Sequence, residues 1–82
     1  MSTNAARLFV TFPEELVSKP MIYEVSRRFD VVPNIRRANV EAHSGWMILE
    51  LDGAQDARDN AVAWLVDQGC LVNPMEGDVV AG

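Results

Sequence analysis

Of the side chains best suited to nucleophilic or metal chemistry, this sequence holds one histidine, His43, and one cysteine, Cys70. A protein nucleophile needs a base within hydrogen-bonding reach, and a zinc or iron–sulfur centre needs several thiolates or imidazoles. One of each provides neither. His43 stands beside a turn with no partner at ligand or triad spacing, and Cys70 opens a short apolar run in which it reads as a small buried hydrophobe. The carboxylates form no pair of evident acid–base geometry, and the four methionines read as packing residues. An enzyme activity, a metal, a cofactor and an internal disulfide are therefore not expected. What remains are groups that bind. Asn34 has an amide that both donates and accepts, and Arg36 and Arg37 carry guanidinium forks that grip carboxylates. Each also has a plain structural use: Asn34 as a turn former after Pro33, and the arginines as charges that protect an exposed strand edge.

The elements that position these groups follow from hydrophobic spacing. Val31 to Asp52 reads as two strands joined at Ser44-Gly45, an antiparallel hairpin. In its second strand Met47, Leu49 and Leu51 alternate with Trp46, Ile48 and Glu50. In its first, Ile35 and Val40 are five apart, so a regular strand would send them to opposite faces; a bulge near Arg37 and Ala38 on an edge strand restores the register. Before the hairpin, Arg7 to Phe12 alternates Leu8, Val10 and Phe12 against Phe9 and Thr11. Pro13 to Ser18 reads as a loop, with Ser18 as N-cap and Pro20 in the first turn of a helix running to about Phe29. Met21 or Ile22, Val25 and Phe29 form its apolar stripe. After the hairpin, a helix from about Gln55 to Gln68 carries Ala57, Ala61, Trp64, Leu65 and Gln68 on one stripe. Gly69 is its C-terminal cap, and Cys70 to Asn73 a last strand stopped by Pro74.

The order βαββαβ is the ferredoxin-like, α+β arrangement, a four-stranded mixed or antiparallel sheet in the order 4-1-3-2 with two helices on one face. One domain spans residues 7–74, between a disordered N-terminus (1–6) and a tail (75–82). The other sheet face, bearing Phe9, Thr11, Trp46 and Ile48, has no helix left to cover it. A second subunit is the expected cover, which makes the chain a homodimer.

Composition narrows the partners. The net charge is −5, with twelve acidic against seven basic residues, so nucleic acid is not expected. Phe9 and Trp46 lack the basic–aromatic motif that accompanies such residues in RNA-recognition domains. The first loop carries Glu14 and Glu15 with only Lys19, which does not suit the anion cradle of an acylphosphatase, and it has no Cys-x-x-Cys pair for a heavy metal. No apolar run reaches the roughly eighteen residues of a membrane span, and the start MSTNAAR is not a secretory leader, so a cytoplasmic location is expected.

The segment Asn34 to Glu41, NIRRANVE, is preceded by TFPEE at Thr11 to Glu15 and followed by SGWMILELDG at Ser44 to Gly53 and AVAWLVDQGCLV at Ala61 to Val72. In this order and spacing the segments resemble the NIL domain, a family named for an Asn-Ile-Leu motif. It is the C-terminal regulatory module of bacterial methionine-import ATPases, and also occurs alone or beside ferredoxin-type domains. The resemblance implies a ferredoxin-like fold, dimerisation and, as in transporter members, methionine binding near the paired domains. Asn34 and Ile35 match the first two motif residues, and Arg36 stands where the family has leucine. That departure replaces an apolar contact with a cation suited to a ligand carboxylate. The expected ligand-binding set is Asn34, Ile35, Arg36 and Ala38. The expected function is a regulatory domain that senses L-methionine or a related amino acid at or near a dimer interface. The alternative is a ligand-free interaction module that docks onto a transporter or metabolic enzyme subunit.

Overall fold

Leu8, Val10 and Phe12 share one sheet face with Met47, Leu49 and Leu51, and that face carries the core. The computed structural model describes residues 5–75; residues 1–4 of the expected N-terminal segment and 76–82 of the expected tail lie outside the described residues. The elements are β1 (Ala5–Phe12), α1 (Glu14–Val17), α2 (Met21–Arg28), β2 (Val32–Val40), β3 (Gly45–Asp52), α3 (Gln55–Gln68) and β4 (Leu71–Pro74). The strands lie in the order β2-β3-β1-β4, antiparallel throughout. This is the expected ferredoxin-like sheet, with β1 and β3 central. It differs from expectation in starting two residues earlier, at Ala5, and in carrying a third, very short helix.

That extra turn lies where a loop was expected. Pro13 has extended backbone and accepts a hydrogen bond from the Leu16 amide at 2.9 Å, so the chain turns at once into α1. The turn buries Leu16 and leaves Glu14 and Glu15 in solvent, near the positive end of its peptide dipoles. Ser18 consequently caps the end of α1 rather than the start of α2, whose N-cap is Pro20. Along α2, Met21 and Val25 are buried, and Ile22 and Phe29 pack against the same cluster. On its solvent side Glu24 accepts hydrogen bonds from Arg27 and Arg28 at 2.9 and 3.0 Å. Those bonds, Arg27's first, hold its carboxyl below the usual range.

In α3, Ala61 and Leu65 are fully buried, whereas Gln68, expected on the same stripe, is exposed. Trp64 is half-buried rather than central. It tilts against Phe29 at 6.2 Å, and the Arg28 guanidinium sits 5.1 Å over its ring. Gly69 ends the helix in the left-handed conformation (φ 116°). The Gly69 amide bonds the Val66 carbonyl and the Cys70 amide the Leu65 carbonyl, each at 3.0 Å, the paired bonds of a Schellman cap. Cys70 is buried just before β4, not within it.

The β2–β3 hairpin turns through Glu41–Ser44, closed by the Glu41 amide on the Ser44 carbonyl at 2.8 Å. Gly45, expected in the turn, is instead the first residue of β3, buried and opposite both Val40 and Phe12. At the other end of β3, Gly53 crosses the link between α2 and β2. A Cβ there would stand 2.8 Å from the Asp30 carbonyl oxygen, at a φ of +157°. Gly53→Ala is accordingly expected to lower stability by about 1–3 kcal/mol through overpacking, measured by urea unfolding.

Candidate functional site

The rows of the sheet decide what can meet on its helix-free face. From the register, Val32, Asp52 and Ala5 form one row, Asn34, Glu50 and Arg7 the next, then Arg37, Ile48 and Phe9, then Asn39, Trp46 and Thr11. Between the second and third rows the β2 register shifts, so that Arg36 is the inserted residue of a bulge, next to the expected Arg37 and Ala38. The shift puts Ile35, Ala38 and Val40 on the helix side of the sheet, as the spacing of Ile35 and Val40 required. The two other expected ligand residues, Asn34 and Arg36, go with the open face, where Arg36 Nη1 lies 3.7 Å from Glu50 Oε1. The four expected ligand residues therefore split between two faces. All are exposed, because β2 is an edge strand of the sheet; Ile35 remains 49% exposed even on the helix side.

Asn34 is nevertheless in a recess. A hollow of about 460 Å³ at this end of the open face is lined by Ala5, Val32, Pro33, Asn34, Glu50 and Asp52. Glu50 is held there from both sides, with Arg7 Nη2 at 3.5 Å from its Oε2 and Arg36 on its other oxygen. Arg7 and Glu50 were absent from the expected site. The signal that could have found them is parity. Arg7 alternates with Leu8 as Phe9 does, and Glu50 with Leu49 as Ile48 does, so both belong to the open face.

The middle of that face is aromatic and apolar. Phe9 and Trp46 stack with centroids 5.3 Å apart and planes 15° from parallel, and with Thr11 and Ile48 they are half-buried. The four residues expected at a subunit interface are thus adjacent. Leu71 of β4, 61% exposed and opposite Thr11, extends the patch.

Elsewhere, a smaller apolar hollow of about 180 Å³ opens on the helix side between α1, α2 and the hairpin, lined by Phe12, Leu16, Met21, Tyr23, Val40 and Met47 with Lys19 at its border. His43 is on the surface, as expected, but it does have a side-chain partner. Its Nδ1 lies 2.8 Å from Glu14 Oε2, tying the hairpin turn to α1 across an exposed surface where such a pair contributes little. Sequence distance hid this contact, because Glu14 is 29 residues away.

Cys70 is 5% exposed, and burial pushes its thiol from the ordinary 9.0 up to about 11. At pH 8 on the order of one molecule in a thousand then carries a thiolate, against roughly a tenth in the unfolded chain. Native Cys70 is expected to react with a disulfide reagent at least about a hundredfold more slowly than in urea, followed by absorbance of the released thiol. The folded state holds the proton more tightly than the unfolded state. Its contribution to stability is therefore complete below pH 9.0 and lost as the pH rises to about 11.

Among the described residues, no helix is long and apolar enough to cross a membrane. The chain is similar in fold to the crystal structure of the C-terminal domain of an ABC transporter ATP-binding protein from Enterococcus faecalis. The TM-score is 0.78 at 17% identity, covering 90% of this chain and 87% of that one. It is 29% identical over 70 residues to the methionine import ATP-binding protein MetN of Helicobacter hepaticus, a match that takes in 80% of this chain. The chain spans about a fifth of that relative's length, 20%. The family model of the NIL domain matches residues 6–74, from the second residue of β1 to the last of β4. The chain therefore belongs to the NIL domain family.

Proposed function

We propose that this chain is a regulatory domain that binds a small amino acid, methionine foremost, and works as a homodimer in the cytoplasm alongside a transporter ATPase. The observation that carries the ligand is the recess at Asn34. The residue that matches the family motif lines a hollow large enough for a free amino acid, with Val32 and Pro33 as apolar wall and Glu50 as polar wall. The similarity to a methionine import ATP-binding protein supports methionine as the first ligand to test and a transporter as the partner. Ligand affinity that differs between two subunit arrangements would shift their populations, and that difference is the regulatory signal.

Titration calorimetry with L-methionine is expected to give saturable binding that weakens at least about tenfold in Asn34→Ala, as loss of a hydrogen bond to a charged ligand group does. The half-buried Phe9–Trp46 stack favours a second reading, in which the domain is a ligand-free module docked through its open face. No heat at millimolar L-methionine, together with an unchanged melting temperature, would select that reading over the first.

A further inference from the structure

On the helix side of the sheet, β3 puts Met47, Leu49 and Leu51 at the centre of successive rows, but the row Val40, Gly45, Phe12 has no side chain at its centre. The hollow of about 180 Å³ between α1, α2 and the hairpin opens over that gap. The backbone does not require glycine there. Only Gly53 and Gly69 have positive φ among the described residues. A Cβ on Gly45 would meet the Asn39 carbonyl oxygen, the Val40 Cα and a Val17 methyl at 3.6, 3.7 and 3.8 Å, all ordinary contact distances. Gly45 therefore keeps open a space that a larger strand residue would take. The other walls include Leu16, Met21 and Met47, all buried, and the two methionines adapt readily to an occupant's shape.

Size and charge define that occupant. An apolar cavity of about 150 Å³ holds one benzene molecule, so the hollow suits a phenyl ring or a branched chain of about six carbons. Tyr23 and Val40, 61% and 58% exposed, leave it open to solvent, so a polar part of the ligand can stay in water at the mouth. The chain's one lysine, Lys19, borders that mouth. Its backbone is tied on both sides, with its amide on the Leu16 carbonyl at 3.1 Å and its carbonyl accepting from the Met21 amide at 2.8 Å. Its side chain forms no ion pair among the described residues. No carboxylate lines the hollow; of those on α1 and α2, Glu14 is engaged by His43, and Glu24 by Arg27 and Arg28.

We propose that this hollow is a ligand site of its own and takes an apolar monocarboxylate. The aryl or branched alkyl group fills the space over Gly45, and the carboxylate stays at the mouth with Lys19 and the Tyr23 hydroxyl, which is a donor. A free α-amino acid is disfavoured, because its ammonium meets Lys19 and finds no carboxylate in the lining. The recess at Asn34 lies on the other face of the sheet, at the Asp52 end of β3, so the two sites do not overlap and this inference does not rest on that one.

The test is an NMR titration of the isotope-labelled chain, at low ionic strength, with hydrocinnamate, its amide and L-phenylalanine, which share a phenyl ring and differ in their charged groups. Hydrocinnamate is expected to move the amide signals of Val17, Lys19, Tyr23 and Gly45 saturably. It should bind at least about threefold more tightly than either of the others, the effect of one exposed charge contact. Lys19→Gln should remove that preference and leave the amide's affinity unchanged, whereas a merely structural lysine would alter all three ligands alike. Gly45→Val should abolish hydrocinnamate binding at a melting temperature no lower than the wild type's, because a β-branched side chain suits a strand and fills the gap. Gly45→Ala, which adds one methyl at contact distance, should weaken binding and serves where the valine variant does not fold. Equal binding of acid and amide would overturn the site. So would unchanged affinity in the Gly45 variants, or signals that move only on the open face. None of these outcomes bears on L-methionine at Asn34, which calorimetry reads separately.

Discussion

Leu49→Ala is expected to cost about 3–5 kcal/mol, the upper part of the range for emptying a buried leucine site. Leu49 is fully buried, lies in central strand β3, and stands opposite Leu8 on one side and Ile35 on the other. Its neighbours are strand residues fixed by two ladders, so they cannot collapse into the space left behind. An 82-residue domain has a total stability of roughly 4–12 kcal/mol, so this one substitution removes a large part of it. Urea unfolding should show the midpoint falling sharply with the slope unchanged. Ile35→Ala is the informative companion. Ile35 faces the same side of the sheet but is 49% exposed, so its truncation should cost only about 1 kcal/mol. Equal losses at the two positions would contradict the bulge at Arg36 and the edge placement of β2.

Ile48→Asp is expected to turn the proposed homodimer into a monomer. Ile48 lies between Phe9 and Arg37 on the open face, in the same row as Phe9 and one row from Trp46, and it is half-buried in the single chain. A hot-spot change costs about 2 kcal/mol or more, and a two-fold interface meets it twice. The dimer constant should then weaken by roughly a thousandfold. Sedimentation at tens of micromolar reads this directly, with the wild type as dimer and the variant as monomer at near-native melting temperature. A wild type that sediments as a monomer under those conditions would remove the dimer from the proposed function. It would leave the open face as a surface for a different partner.

The charged row tells how much of the site could be read before the fold was known. Asn34 and Arg36 stood out through their motif, and the mismatch of Ile35 and Val40 located the bulge within one residue. The grouping of the expected ligand residues was only half legible. Asn34, Ile35, Arg36 and Ala38 are close in sequence, but alternation and the bulge divide them between two faces. Arg7 is 43 residues from Glu50, and nothing local links them. His43 and Glu14 were read separately for the same reason.

Local periodicity was enough for β1, for β3 and for both ends of α3, since each buries one stripe and the alternation of two or three-to-four residues records which stripe that is. The order of these elements, with right-handed crossovers, left one sheet order, and the structure has it. By itself, then, the sequence determined the four strands and the two longer helices, though not the short turn of α1, together with the topology, the division into core and open faces, and the family. Tertiary structure alone decided the cross-strand register. That register depends on where the chain turns, at Glu41–Ser44 rather than at Gly45, and on which residue β2 loops out. A shift of one residue would send every side chain of β2 to the other face at little local cost, so only the packing of β3 against both its neighbours selects the row in which Asn34, Glu50 and Arg7 meet.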